Sequence, residues 1–243
     1  MVMSTDKLQW LSLAIIFLLI ALTTFNGVKV SNNNFTLFSD GILTNLEVLG
    51  TAEYGYVVRE GPFGNQSSPV KVAYIVGVHP LEFKSHWAMK EALMDRKNSL
   101  KYSYYIYEVQ VTQNREDYNI GRAHGQQLAK EYVVPDIQAK VFNLVVDVHS
   151  NRGDYVEKRF IAVPVRENRS DNAAQQMVNK IPWLKIYAPP PEKGPTSGPY
   201  VSIPLINSGT PTVVYETYLN DSYGILLQQA FEFSEVVDRI QLI

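Results

Sequence analysis

The sequence predicts an α/β fold: a mixed, largely parallel central sheet flanked by helices and preceded by an N-terminal transmembrane or signal helix. Three observations lead there. From Val70 onward, short apolar runs rich in β-branched residues alternate with segments of helical period. Three of those runs stop at an ionisable residue: AYIVGVH ends at His79, LVVDVH at His149 and TVVYE at Glu216. Ahead of all of this, Leu8 to Phe25 carries no charge, a run of roughly 18 residues that as a helix nearly spans a bilayer core.

The elements follow in chain order. Residues 1–30 are assigned to the anchor or signal segment and 31–243 to one globular domain, with Ser31 to Thr36 as a polar linker. Lys7 and Lys29 flank the apolar run, so charge bias says little about orientation; an uncleaved anchor with the bulk of the chain outside the cytoplasm is favoured over a cleaved signal peptide. Glu47 to Glu60 reads as one or two opening strands, Val70 to Val78 as a strand, Phe83 to Lys97 as a helix and Tyr102 to Thr112 as a strand. Gly121 to Lys140 reads as a helix that Pro135 kinks or divides. Strands are expected at Phe142 to Val148, Arg159 to Val165 and Trp183 to Tyr187, with a helix from Ser170 to Lys180 capped near Ser170 or Asp171. The Pro/Gly-rich stretch Ala188 to Pro199 is a loop, Pro211 to Tyr215 the last strand and Ser222 to Ile240 a closing amphipathic helix.

Composition removes several function classes. With 46% hydrophobic and 19% charged residues, 243 residues bury one substantial core. Net charge is −2, from 22 basic and 24 acidic residues, which gives no electrostatic footprint for nucleic acid. The absence of cysteine excludes disulfides, thiolate metal sites and a cysteine nucleophile. Four Asn-x-Ser/Thr triplets, at Asn34, Asn65, Asn168 and Asn220, would accept glycans in a glycosylating compartment.

The three strand ends carry the chemistry. In an open α/β sheet, ligands bind outside the carboxyl ends of the strands, so His79, His149 and Glu216 converge on one crevice. His79 and Glu82 stand three residues apart across a turn stiffened by Pro80, which lets both side chains point at one centre. Two His and one carboxylate form a known catalytic zinc set that keeps a fourth position open, with His149 as the third ligand. Asp147 lies two residues before His149 on the same side of its strand, placed either to orient that ligand or to cap a neighbouring turn. Arg115, Arg122 and Arg152 are candidates to stabilise a developing oxyanion. His86 and His124 read as packing or surface residues.

Together, G-x-H-P-x-E at Gly77 to Glu82, D-x-H-S at Asp147 to Ser150 and a strand ending at Glu216 resemble the zinc carboxypeptidase superfamily, including its aspartoacylase and succinylglutamate desuccinylase relatives. The resemblance covers roughly Val70 to Thr217. It implies one Zn2+ per chain held by His79, Glu82 and His149, Glu216 as general base, Arg115 and Arg122 as the arginines that stabilise the oxyanion and grip a substrate carboxylate, and Tyr200 as a substrate-binding tyrosine; Arg152, three residues past His149, is a candidate substrate contact by its nearness in sequence alone. His149 follows Glu82 by 67 residues, closer to the compact deacylase-like members than to the carboxypeptidases proper. The expected activity is hydrolysis of an amide bond next to a carboxylate, on peptides outside the cytoplasm, cell-wall peptides among them. The alternatives are deacylation of small N-acyl amino acids and a non-catalytic envelope binding protein with a vestigial site. The sequence leaves oligomeric state open.

Overall fold

The computed structural model describes residues 29–31, 34–39, 42–190 and 196–242, with side chains from residue 46 onward. The run from Leu8 to Phe25 lies outside the described residues; among those described, no helix is long and apolar enough to cross a membrane. The chain forms two compact units, Met1–Glu47 and Val48–Ile243.

In the first unit, β1 (Lys29–Ser31) and β2 (Asn34–Ser39) pair antiparallel, and β2 pairs in the same sense with β3 (Ile42–Ala52). This replaces the polar linker expected at Ser31 to Thr36. A ladder is made by backbone groups, so a polar stretch can join one wherever a partner strand lies alongside.

The second unit holds the sheet that positions the site. After the end of β3 come β4 (Gly55–Gly64), β5 (Lys71–Val76), β6 (Ser103–Val111), β7 (Leu144–Asn151), β8 (Phe160–Ala162), β9 (Lys185–Ile186) and β10 (Thr212–Tyr218). Their spatial order is β3-β4-β6-β5-β7-β10-β8-β9. β5 runs parallel to β6 and β7, and β7 parallel to β10, whereas β4 and β8 run antiparallel to their inner neighbours. The sheet is therefore mixed, with a parallel centre. β7 is buried along its whole length, as a central strand covered on both faces must be.

Alternation along the strands sorts the core into two layers. Val72, Tyr74, Leu144, Val146, Val213 and Tyr215 face one side, against α1 (Phe83–Arg96), α4 (Asn168–Lys180) and α6 (Tyr223–Arg239). Ala73, Ile75 and Val145 face the other, against α2 (Tyr118–Leu128), α3 (Val134–Lys140) and α5 (Ser202–Asn207).

Two helical expectations are corrected. The segment read as one helix from Gly121 begins earlier, at Tyr118, where the Asp117 side chain accepts the amides of Asn119 and Ile120. It then passes through one wider π turn at Ala129–Val133 directly into α3, which carries Pro135 in its first turn. α4 is capped by Glu167, not by Ser170 or Asp171; the longer carboxylate reaches the amides of Arg169 and Ser170 from outside the helix. The sequons Asn65, Asn168 and Asn220 are exposed.

Candidate functional site

The turn after β5 is built for close approach. Gly77 has φ +86°, a left-handed conformation that a side chain would strain, and a Cβ there would meet the Val109 carbonyl at 2.1 Å. The chain then enters a 3-10 turn at Pro80–Glu82, which brings His79 and Glu82 onto the same side. His149 lies at the carboxyl end of β7, where alternation turns it to the α2 face together with Asp147.

Glu82 is the hub. Its carboxylate accepts from His79 Nδ1 at 2.9 Å, His149 Nδ1 at 3.0 Å, Arg122 Nη1 at 3.0 Å and the Ser150 amide at 3.0 Å. Burial by itself would raise the Glu82 pKa, but His79 and His149 beside it hold it well below the usual carboxylate range. Burial pushes His79 down to about 4 against the pull of Glu82. Burial also acts to lower His149, yet Asp147 and Glu82 outweigh it and hold this imidazole well above its ordinary value.

The three groups fit a metal ion. Ligand atoms from His79, Glu82 and His149 lie within 4.8 Å of one another, and all three residues are buried. Tetrahedral zinc with ligands near 2.0–2.1 Å separates them by roughly 3.3 Å, so both imidazoles need to retreat from Glu82 by only a few tenths of an ångström. Behind His149, Asp147 Oδ1 accepts from Nε2 at 3.0 Å, and Ser197 Oγ lies 3.0 Å from the same nitrogen. Asp147 is fully buried, and its Oδ2 has no hydrogen-bond partner among the described residues. A carboxylate set in this way fixes the tautomer in which Nδ1 is free to bind metal.

Glu216 on β10 is the register partner of His149 on β7, so the two lie side by side across about 4.8 Å of sheet on the same face. Both line a cavity of about 240 Å³ that also includes Arg122, Arg152, Tyr118, Ser197 and Tyr155. The two guanidinium groups are held by one ring: Arg122 Cζ lies 4.9 Å and Arg152 Cζ 4.6 Å from the centroid of Tyr118.

Of the residues expected from the sequence, His79, Glu82, His149, Asp147, Glu216, Arg122 and Arg152 come together. Arg115 does not. It precedes the cap of α2, is half exposed, pairs with its neighbour Glu116 and lines a separate cavity beside Phe83 and Trp87. Arg122 stands one turn and a half further on, where the helix brings it round to the sheet. Tyr200 is also elsewhere: a turn closed by its amide on the Ser197 carbonyl sends its ring to the α3 and α5 packing face, 5.9 Å from Lys130 Nζ. His86 is buried, bonded through Nε2 to the Val148 carbonyl, and His124 stacks on Tyr54.

Sequence reasoning passed over Tyr118, Gln126 and Ser197. Only Gln126 left a signal, in the pairs Gly121-Arg122 and Gly125-Gln126, where small residues one turn apart mark close helix contact. A Cβ at Gly125 would lie 2.0 Å from the Val78 carbonyl.

No protein-family model matches the chain, and no curated protein matches it in sequence. Solved structures match its fold. A candidate carboxypeptidase A from Shewanella denitrificans superposes with a TM-score of 0.52 at 14% identity, over 90% of this chain and 80% of that one. A metallo-carboxypeptidase from Burkholderia cenocepacia gives 0.50 at 12% identity, over 90% and 66%. The tripeptide-bound cell shape determinant Csd4 from Helicobacter pylori gives 0.52 at 10% identity, over 75% of this chain and 54% of that one. The chain thus spans about half the length of Csd4. The fold of this chain is that of the zinc carboxypeptidase-like proteins.

Proposed function

We propose that the chain is a zinc-dependent hydrolase that cleaves an amide bond next to a carboxylate, acting as a carboxypeptidase or amidase on peptides. The observation that carries this reading is the buried His79, Glu82 and His149 cluster with Glu216 in register beside it and two arginines in the same cavity. Bound at the cluster, zinc would polarise the scissile carbonyl and lower the pKa of the attacking water. With zinc there, Glu216 would take a proton from the attacking water and return it to the leaving nitrogen. Arg122, bonded to Glu82 and so at the edge of the cluster, would stabilise the oxygen on which negative charge develops. Arg152, whose guanidinium also lies against Tyr118, would pair with a substrate carboxylate. The peptide bound to Csd4 agrees with a peptide substrate. The uncharged run from Leu8 to Phe25 supports a site outside the cytoplasm, tethered to or exported across a membrane, where cell-wall peptides would be met.

A second reading, deacylation of small N-acyl amino acids, is favoured by the short stretch of 67 residues from Glu82 to His149, which leaves little chain for long specificity loops. The test is metal content and amide hydrolysis of the full chain on a panel of short peptides and N-acyl amino acids. One zinc per chain, lost in His79→Ala, with Glu216→Gln keeping metal but losing turnover, is the expected pattern. A wild-type chain that stays free of zinc under replete conditions overturns it in favour of a non-catalytic binding protein.

A further inference from the structure

The two imidazoles of the cluster are backed by different chemistry. His149 has the Asp147 carboxylate behind Nε2, an acceptor that suits a ring whose Nδ1 binds metal. His79 has the Gln126 amide, fully buried, with the end of that amide 3.1 Å from His79 Nε2. For His79 Nδ1 to ligate a metal, the ring proton must be on Nε2, where it needs an acceptor. The two ends of a glutamine amide have nearly the same shape, so this contact can present the amide oxygen to Nε2–H.

We propose that Gln126 is the positioning residue for His79: its amide presents its oxygen to His79 Nε2–H and thereby holds the metal-binding tautomer. α2 can deliver this amide because Gly125 lets the helix touch the end of the His79 strand. The inference rests on the zinc reading above.

The experiment is zinc titration of the full chain in competition with a chromophoric chelator, comparing wild type with Gln126→Met, which keeps the shape but has no strong acceptor, and Gln126→Glu, which keeps an acceptor for His79 Nε2–H. Gln126→Met is expected to weaken zinc binding 10- to 100-fold. Gln126→Glu is expected to bind at least as tightly as wild type, a rescue that a purely structural role would not produce. Should Gln126→Met fail to fold, judged by its circular dichroism, the Gln126→Glu arm decides, and a tenfold weakening there overturns the proposal. Equal zinc affinity in wild type and Gln126→Met sinks the role of Gln126 while leaving the hydrolase reading intact. A wild type that binds no zinc overturns both.

Discussion

Replacing His86 by glutamine should flatten the acid dependence of stability by one proton. His86 is buried on α1, its Nε2–H donates to the Val148 carbonyl at 3.0 Å, and burial pushes its pKa from 6.5 down to about 4. Above pH 6.5 the imidazole is neutral in both folded and unfolded chains, and its contribution to stability is fully present. As pH falls from 6.5 towards 4, the unfolded chain takes up a proton that the folded chain refuses, so that contribution is progressively lost. At about 1.4 kcal/mol for each tenfold change in proton activity, the loss reaches roughly 3 kcal/mol by pH 4.5. Glutamine keeps an N–H for Val148 and cannot titrate. Urea unfolding of the metal-free chain at pH 7.5 and pH 4.5 measures the effect, because the depressed pKa of His79 is common to both proteins and cancels in the comparison. The expected result is a wild type that loses about 3 kcal/mol more than His86→Gln over that interval, with the two within about 1 kcal/mol at pH 7.5. Equal losses in both would show that His86 accepts its proton in the folded state, and the account of its burial would fail.

Other expectations concern the cluster and its support. Asp147→Asn should weaken zinc binding roughly 10- to 100-fold in a chelator competition, since the amide no longer anchors the His149 tautomer with a charge. Arg122→Ala should lower kcat about 100- to 1,000-fold, whereas Arg115→Ala should stay within about twofold of wild type on the same peptide, because only Arg122 lines the cavity of the cluster. Asp238→Ala should destabilise the chain by about 3 kcal/mol or more in urea unfolding, as its carboxylate accepts from the Lys101 amide and the Tyr104 hydroxyl, both at 2.8 Å.

Much of this was legible in the sequence because strand ends are local signals. The runs ending at His79, His149 and Glu216 appear as β5 with its following turn, β7 and β10, and the helices expected at Phe83 to Lys97 and Ser222 to Ile240 appear as α1 and α6 within a residue at each end. Asp147 was readable because period two alone puts it beside His149. Arg115 and Arg122 were not separable by position: Asp117 starts the helix between them, leaving one in the loop and turning the other inward. The place of the Tyr200 ring depends on another nonlocal fact, the turn from Ser197 to Tyr200 that sets it against Lys130. β1 and β2, ahead of Glu47, are short and border the asparagine run at residues 32–34, so their pairing partners do more to specify them than local pattern does.

The ligands and their surroundings therefore depend on different kinds of contact. His79 and Glu82 are brought together by three residues of local turn, and His149 and Glu216 by the register of two parallel strands. Arg122, Tyr118 and Gln126 reach the same place through tertiary packing, from a helix whose distance from the sheet is set at Gly125 by contact with the Val78 carbonyl. A side chain at Gly125 would push α2 outward and withdraw Arg122 and Gln126 together, while leaving the turn and the strand register untouched. On the proposed zinc reading, gathering a metal and using it would be separately encoded, the first in strand ends and the second in a glycine that lets one helix come close.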